Sequence, residues 1–334
     1  MPEKKVIETS VVGSFPLPRW LDQSASEEAI LDAIKAIIKD QENVGLDLIS
    51  DGEVYRNLFC HEKTNGMIDH YAERLAGIST EQPRALLERM RRDPELAYRD
   101  APAGVVNAEI DHGLLDLRRE FESIRKLTKH PLKFTFTGPH MLSRVLINDY
   151  YPDHQTLAMA IAEVLSEQVR DIEADFIQID EASIGGHPQD TEWAVEAINR
   201  VAKSISGRSG IHICYGNYGG QTVQQGNYEA LLPKLLELEL DQFVLEFARR
   251  GYDELECFAK YDSRIEIALG VIDIKDLQIE TPDVVASRLE EGAKTIGVDR
   301  LAAVPDCGLW MLPRSVALGK LENLVRGRDL FAGP

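Results

Sequence analysis

The sequence predicts a single α/β domain folded as a (β/α)₈ barrel, and three observations lead to that fold class. Eight short apolar runs rich in β-branched residues are spread along the 334 residues. Nearly all of them are continuously hydrophobic, as expected for strands that are covered on both faces. Segments with helical spacing lie between them, and regular alternation of strand and helix is typical of parallel βαβ units.

The spacing of the eight runs shows where the chain exceeds a plain barrel. The interval after the second run is about twice as long as the others. Residues 57–130 are therefore predicted to form a helical insertion on one βα loop, with helices at Glu81–Arg92 and Ala108–Leu127. A doubly wound open sheet is the alternative architecture. The predicted strands are Val6–Val12, Leu46–Ser50, Lys133–Thr137, Asp175–Asp180, Gly210–Cys214, Gln242–Phe247, Ile265–Val271 and Leu301–Pro305.

Helical patterns between these strands predict the outer layer of the barrel. Ser26 precedes two acidic residues and then apolar residues at helical spacing, which is typical of a capped amphipathic helix. Insertions on the βα-loop face of a barrel commonly act as lids or substrate walls. No linker divides residues 1–334, so they are taken as one domain. The other predicted helices are His154–Glu173, Asp190–Ser206, Tyr228–Leu238 and Pro282–Ile296.

Composition and charge exclude several classes of function. The chain has 37 Lys and Arg against 56 Asp and Glu, a formal charge of −19, and 44% of its residues are hydrophobic. Such an acidic surface repels phosphate backbones and anionic lipid, so neither nucleic acid nor a membrane is an expected partner. No apolar run reaches the ~18 residues that a membrane helix needs. The start lacks a secretory signal and four scattered cysteines do not form a disulfide framework, so we expect a cytoplasmic protein.

A candidate metal site lies at the carboxyl ends of three predicted strands, where barrel enzymes place their functional residues. His212 and Cys214 are two apart on one strand and therefore point to the same face. Cys307 and Glu246 lie at the ends of two other strands. Imidazole, thiolate and carboxylate are the ligands that proteins offer to zinc. The pair on one strand would also suit a packed interior, but its coincidence with the other two residues favours a zinc site.

Other polar residues near the strand ends have less specific patterns. Cys60 and Cys257 are interpreted as packing residues, and His187 shows no ligand spacing. Arg249 either steadies the Glu246 carboxylate or forms a loop ion pair, and Asp306 is either an acceptor behind the ligands or a helix cap. Glu181 is expected to tie the barrel to its outer helices. The cofactor predicted from the residues is Zn²⁺. A dinucleotide is not expected, because the glycine pairs lack the G-x-G-x-x-G pattern.

Five sequence segments follow one another along the chain near the ends of the predicted strands. They are Val12-Gly13-Ser14-Phe15-Pro16, Asp51-Gly52-Glu53 with Arg56-Asn57, Gln178-Ile179-Asp180-Glu181, His212-Ile213-Cys214-Tyr215 and Pro305-Asp306-Cys307-Gly308-Leu309. Together they resemble the catalytic C-terminal barrel of cobalamin-independent methionine synthase, from about Ile7 to Gly327. The resemblance implies that His212, Cys214, Glu246 and Cys307 bind zinc. It also implies that homocysteine is held by Gly13 and Ser14, with Glu53 and Asp180 meeting its ammonium group.

Three departures from the family concern the methyl donor. The N-terminal barrel of full-length members is expected to be missing, and Val145 stands where the family has a folate-stacking Trp. Lys275 replaces a His that helps to protonate the departing folate nitrogen. Because an unprotonated folate nitrogen leaves poorly, the sequence favours methylcobalamin or a methylated corrinoid protein as donor. Lys275 and Asp180 are the predicted catalytic residues.

Two further interpretations stay open. Relatives with the same zinc set resemble epoxyalkane:coenzyme M transferase, in which Lys275 would stabilise the nascent alkoxide, although Glu53 and Asp180 would then have no ammonium to meet. A non-enzymatic alternative is a metal-binding regulatory barrel. The sequence does not indicate the oligomeric state.

Overall fold

Eight parallel strands close into a barrel in the computed structural model, which describes residues 7–58, 63–81, 84–261 and 264–333. Each strand pairs with its neighbour in the chain, and the last pairs with the first through Glu8 and Ala302. A parallel bridge between Ser10 and Leu48 joins the first strand to the second and completes the circle. The strands are β1 (Glu8–Thr9), β2 (Ile49–Ser50), β3 (Leu132–Thr137), β4 (Phe176–Asp180), β5 (Ser209–Ile213), β6 (Gln242–Leu245), β7 (Glu266–Ile272) and β8 (Leu301–Pro305). The predicted barrel is confirmed.

The helices pack outside the strands and begin where the sequence supplies caps. Ser26 accepts a hydrogen bond from the backbone N–H of Ala29, and Gly45 ends the same helix with a φ of 88° that favours glycine. Thr281 caps the helix that begins at Pro282 in the same way. In the described ranges no helix is long and apolar enough to cross a bilayer. The larger outer helices are Glu27–Val44, His154–Val169, Thr191–Ala202, Pro282–Ile296 and Arg314–Ala332.

Two apolar layers form the core. The larger one lies between the strands and the helices. A small cluster of Val12, Val244, Ala268, Ala302 and Val304 fills part of the barrel interior. Burial on both faces explains why the strands are continuously hydrophobic. Polar side chains in these strands therefore stand out, because they lie inside the barrel.

The insertion between β2 and β3 differs from its prediction. It contains short helices, but the expected helix Ala108–Leu127 is wrong in its first part, where Val105–Asp111 forms a strand that pairs with Ala76–Ser79. Three β-branched residues, Val105, Val106 and Ile110, favour the extended backbone, and two of them bury their side chains. Cys60 lies outside the described residues. The helices of the insertion are Asp69–Ala72, Arg84–Arg92 and Leu117–Arg125.

The predicted helix Tyr228–Leu238 is also wrong, because the segment forms two 3₁₀ turns, Tyr228–Leu231 and Lys234–Glu237. Pro233 separates them. A proline has no N–H for the helix ladder and drives the preceding residue out of the α region. Leu232 accordingly has an extended ψ of 149°.

Candidate active site

A cavity of about 740 Å³ opens at the carboxyl ends of the strands. Its wall combines residues at the ends of β4 and β5 and residues that follow β1, β2 and β8 with residues of the insertion. The predicted site residues among its lining are Ser14, Glu53, Asp180, His212, Cys214 and Cys307. The sequence-based candidates from distant parts of the chain thus meet in one chamber.

One imidazole and two thiols face one another in this cavity. The ligand atoms of His212, Cys214 and Cys307 all lie within 4.8 Å of one another. The Nδ1 atom of His212 lies 3.1 Å from the Val244 carbonyl oxygen, whereas its Nε2 atom is buried without a hydrogen-bond partner among the described residues. A hydrogen bond to Cys214 lowers the pKa of the Cys307 thiol well below its usual range, and the same contact raises the pKa of Cys214.

The spacing of the two sulfur atoms fits a tetrahedral metal. They are 3.8 Å apart. Two Zn–S bonds of about 2.3 Å at a tetrahedral angle give an S–S distance of about 3.8 Å, whereas a disulfide would be about 2.05 Å long. Together with the unpartnered imidazole nitrogen, this distance makes the three residues a fitting ligand set for Zn²⁺.

Glu246, the fourth predicted ligand, is engaged by protein groups beside the cluster. Its Oε1 atom lies 2.9 Å from Nζ of Lys275, and its Oε2 atom accepts a hydrogen bond from the backbone N–H of Tyr215 at 3.0 Å. The Lys275 side chain is 2% exposed and also donates to the Thr222 hydroxyl. The structure therefore brings three of the four predicted ligands within 4.8 Å and holds Glu246 in a buried ion pair next to them.

Asp306 fixes the backbone that follows Glu246. Its carboxylate accepts hydrogen bonds from the backbone N–H groups of Phe247, Ala248 and Arg249 at 2.9, 2.7 and 2.9 Å. It is thus an acceptor behind the predicted ligands and not a helix cap. The Arg249 guanidinium instead pairs with Asp273 at 3.1 Å, which is the loop ion pair of the two alternatives.

Glu53 enters the cavity from a strained backbone position at the end of β2. Its φ of 58° and ψ of 32° lie in the left-handed region, which is costly for a non-glycine residue and often marks functional sites. The carboxylate accepts hydrogen bonds from Thr135 Oγ1 at 2.8 Å and Asn65 Nδ2 at 3.2 Å, and Arg56 lies 3.4 Å away. A Cβ on Gly13 would stand 2.0 Å from Glu53 Oε1, so glycine is required there.

Asp180 supplies the second carboxylate of this half of the cavity. Burial raises its pKa to about 7, and the charge of Glu53 adds to the rise. Ser14 contributes a buried hydroxyl with no hydrogen-bond partner among the described residues. The two carboxylates can therefore bind a cationic group of a ligand, and the Ser14 hydroxyl can donate to an acceptor on the same ligand.

Several residues of the site were not predicted from the sequence. The ring of Tyr98 from the insertion meets that of Tyr218 from the loop after β5 edge to face, with centroids 5.4 Å apart. An ion pair of 2.8 Å between Lys63 and Asp100 lies within the insertion, and the backbone N–H of Gly219 donates to the Lys63 carbonyl. The insertion is thus a wall of the cavity, as expected from its place on the βα-loop face. Position alone could not indicate which of its aromatic residues face the cavity.

Two buried polar residues inside the barrel were also not predicted from the sequence as residues of the site. Lys133 is 1% exposed and Gln178 is fully buried, and both lie beneath Asp180. The sequence does contain a signal for them, because each is a polar residue within a strand that is otherwise covered on both faces. Glu181, which points the other way, accepts from the backbone N–H groups of His140 and Met141 and ties β4 to the helix that begins at Pro139, as expected.

Fold and site together define an enzyme class: a parallel barrel with one imidazole and two thiols at its carboxyl-terminal mouth that could hold a metal ion. Residues 7–327 match the family described as the catalytic domain of cobalamin-independent synthases, and the chain belongs to that family. The methionine synthase of Sulfurisphaera tokodaii is 32% identical over 99% of this chain and 94% of its own length, and that of Pyrococcus abyssi is 30% identical over 97% and 92%. The resemblance predicted from the five segments is confirmed, and the protein is a methyltransferase.

Solved structures agree on the fold. The B12-independent methionine synthase from Shewanella sp. W3-18-1, in complex with selenomethionine, matches with a TM-score of 0.81 at 24% identity over 98% of both chains. A putative vitamin-B12 independent methionine synthase from Listeria monocytogenes matches with a TM-score of 0.71 at 22% identity, over 97% of this chain and 98% of its own. At these identities the similarity supports the barrel alone.

Proposed function

We propose that the protein transfers a methyl group to the thiol of homocysteine at a zinc ion, giving methionine. The observation that carries this proposal is one cavity with two halves. The imidazole and two thiols, with ligand atoms within 4.8 Å, form one half, and the carboxylates of Glu53 and Asp180 line the other. Homocysteine has a thiol for the first half and an ammonium group for the second.

Each residue then has a definite task. His212, Cys214 and Cys307 would hold zinc, with Glu246 next to them. A free thiol has a pKa near ~8.5, and bound zinc supplies a positive charge that keeps a sulfur deprotonated and nucleophilic at neutral pH. Glu53 and Asp180 bind the substrate ammonium. The Ser14 hydroxyl, which is buried without a partner among the described residues, donates to the substrate carboxylate.

The donor expected from the sequence needs revision. A methylcobalamin or corrinoid-protein donor conflicts with the description of the family as cobalamin-independent. The argument for it relied on a missing acid, but the Lys275 ammonium lies buried at the ligand set, 2.9 Å from Glu246. We therefore propose a tetrahydrofolate-type N-methyl donor, with Lys275 holding the proton that the departing nitrogen needs.

A coenzyme M substrate is less consistent with the site. That thiol carries a sulfonate and no ammonium group, so Glu53 and Asp180 would repel it. The acidic pair thus favours an amino-acid thiol.

The test compares metal content and donor use in matched cysteine variants. We expect purified protein to contain zinc, Cys214→Ser and Cys307→Ser to lose most of it, and Cys257→Ser to keep it, because Cys257 is buried in a separate helix. Methionine formation is then measured with methyltetrahydrofolate and with methylcobalamin. Turnover of homocysteine with methylcobalamin alone would refute the proposed donor, and equal zinc content in all variants would refute the metal site.

A further inference from the structure

A buried polar chain lies beneath the amino-acid half of the site. Nζ of Lys133 donates to Oε1 of Gln178 at 3.0 Å, and Nε2 of Gln178 donates to Oδ1 of Asp180 at 2.8 Å. Lys133 and Gln178 are at most 1% exposed, and neither lines the cavity. Only the far end of the chain, Asp180, faces the space where a substrate would bind.

The lysine determines which way the Gln178 amide points. When Lys133 is protonated, its Nζ atom has donors and no acceptor, so the amide oxygen must face Lys133 and the amide NH₂ must face Asp180. The reverse orientation would set the NH₂ against the ammonium and the amide oxygen against the carboxylate. Lys133 holds the oxygen end of the amide, while the Val12 carbonyl oxygen accepts from its Nε2 atom at the other end. Without Lys133, the amide would keep only the second of these two constraints on the orientation that donates to Asp180.

The same two residues also hold the strand that leads to Ser14. Lys133 donates to the Val11 carbonyl at 2.7 Å, and Gln178 donates to the Val12 carbonyl at 2.8 Å. Gly13 and Ser14 follow directly. Both parts of the amino-acid half, the Asp180 carboxylate and the Gly13–Ser14 segment, are therefore fixed from one pair of buried side chains.

We propose that Lys133, acting through Gln178, is a positioning residue that aims Asp180 at the ammonium group of the thiol substrate and so sets the preference for an amino-acid thiol. This inference rests on the proposed function, since it assumes a substrate that carries an ammonium group. Lys133 itself touches no substrate atom.

The experiment measures binding of two thiols that differ in one group. L-Homocysteine is compared with 4-mercaptobutanoate, which keeps the thiol and carboxylate and lacks the ammonium group. Isothermal titration calorimetry on the zinc-loaded protein gives a Kd for each. We expect wild type to prefer homocysteine, and Lys133→Met and Gln178→Met to lower that preference at least tenfold while the Kd of 4-mercaptobutanoate changes by less than threefold.

Two further variants separate positioning from general destabilisation. Lys320→Met removes another fully buried lysine, which pairs with Glu280 and the Gln278 carbonyl, and should leave the preference unchanged. Gln178→Glu keeps an acceptor for Lys133 but places a carboxylate against Asp180, and should lose the preference. If Lys133→Met does not fold, the two Gln178 variants decide the question.

The outcomes are distinct. The positioning role is overturned if the variants keep the wild-type preference, or if they weaken the binding of both thiols equally. It is also overturned if wild type shows no preference between the two thiols. A wild type that prefers homocysteine but forms no methionine with any donor refutes the proposed function instead, because binding is measured without turnover.

Discussion

Gly13→Ala should disable the amino-acid half of the site while leaving the metal half intact. The added Cβ would lie 2.0 Å from Glu53 Oε1, whereas ordinary contact begins at 3.4 Å. The carboxylate must therefore move by about 1.4 Å, which breaks its hydrogen bonds to Thr135 and Asn65. A misplacement of about 1 Å in a catalytic site costs about 100-fold in rate, equivalent to about 2.7 kcal/mol.

The assay for Gly13→Ala is kcat/KM for homocysteine, with zinc content and thermal unfolding measured on the same preparation. We expect kcat/KM to fall about 100-fold, mainly through KM, with zinc retained. Gly319→Ala, on the outer helix Arg314–Ala332, is the matched control, because the nearest atom to its new Cβ would be Cδ1 at the end of the partly exposed Ile279 side chain, 2.7 Å away. An unchanged KM in Gly13→Ala would refute the placement of Glu53 at the substrate, and loss of zinc would show that the effect passes through the metal.

Three other changes test separate parts of the site. Asp306→Asn exchanges one of two acceptor oxygens for a donor, so zinc affinity should fall about 10-fold or more in a chelator competition, and unaltered affinity would contradict the role of Asp306 behind the ligands. Tyr98→Ala removes an edge-to-face pair in the cavity wall worth about 0.5–1.5 kcal/mol, so kcat/KM should fall about two- to tenfold with zinc content unchanged. Burial lowers the pKa of Lys133 to about 7, against about 10.4 in an unfolded chain. Between these two pKa values the folded state binds fewer protons than the unfolded state. The free energy of unfolding of wild type should therefore rise with pH from about 7 to about 10. Urea titrations of Lys133→Met should not show this rise. The charged groups that influence Lys133 are Glu8, Glu53, Asp180 and Arg208.

The barrel could be predicted because each of its strands is buried on both faces and therefore appears as an uninterrupted apolar run. Elements whose formation depends on context could not. Val105–Asp111 overlaps a predicted helix that is rich in charged residues, and only its pairing with Ala76–Ser79 makes it a strand. Tyr228–Leu238 has the apolar spacing of a helix, but Pro233 at its centre outweighs that pattern.

The residues of the candidate site also divide into those that could be predicted from the sequence and those that could not. Residues directly at strand ends, such as His212 and Cys307, could be proposed from position and residue type. The partner of Glu246 could not, because the ion pair with Lys275 depends on how two neighbouring strands end in space. Nor could the link from Lys133 to Asp180 be foreseen, since it requires the register in which Lys133 pairs with Phe176 and Thr135 with Gln178.

Charge divides the cavity in a way that orients a substrate. On the metal side, the Glu246 carboxylate already has a buried cation in Lys275, 2.9 Å away. On the other side, Arg56 lies near Glu53, but the raised pKa of Asp180 indicates that its charge is poorly compensated. A substrate cation therefore gains most at Asp180 and least beside Lys275. Because the ammonium and sulfur of an amino-acid thiol lie at opposite ends, fixing the ammonium at Asp180 directs the sulfur to the two cysteines. A thiol without an ammonium group would lack that constraint, so the unequal compensation of the Glu246 and Asp180 charges favours the proposed amino-acid thiol and its proposed direction of binding.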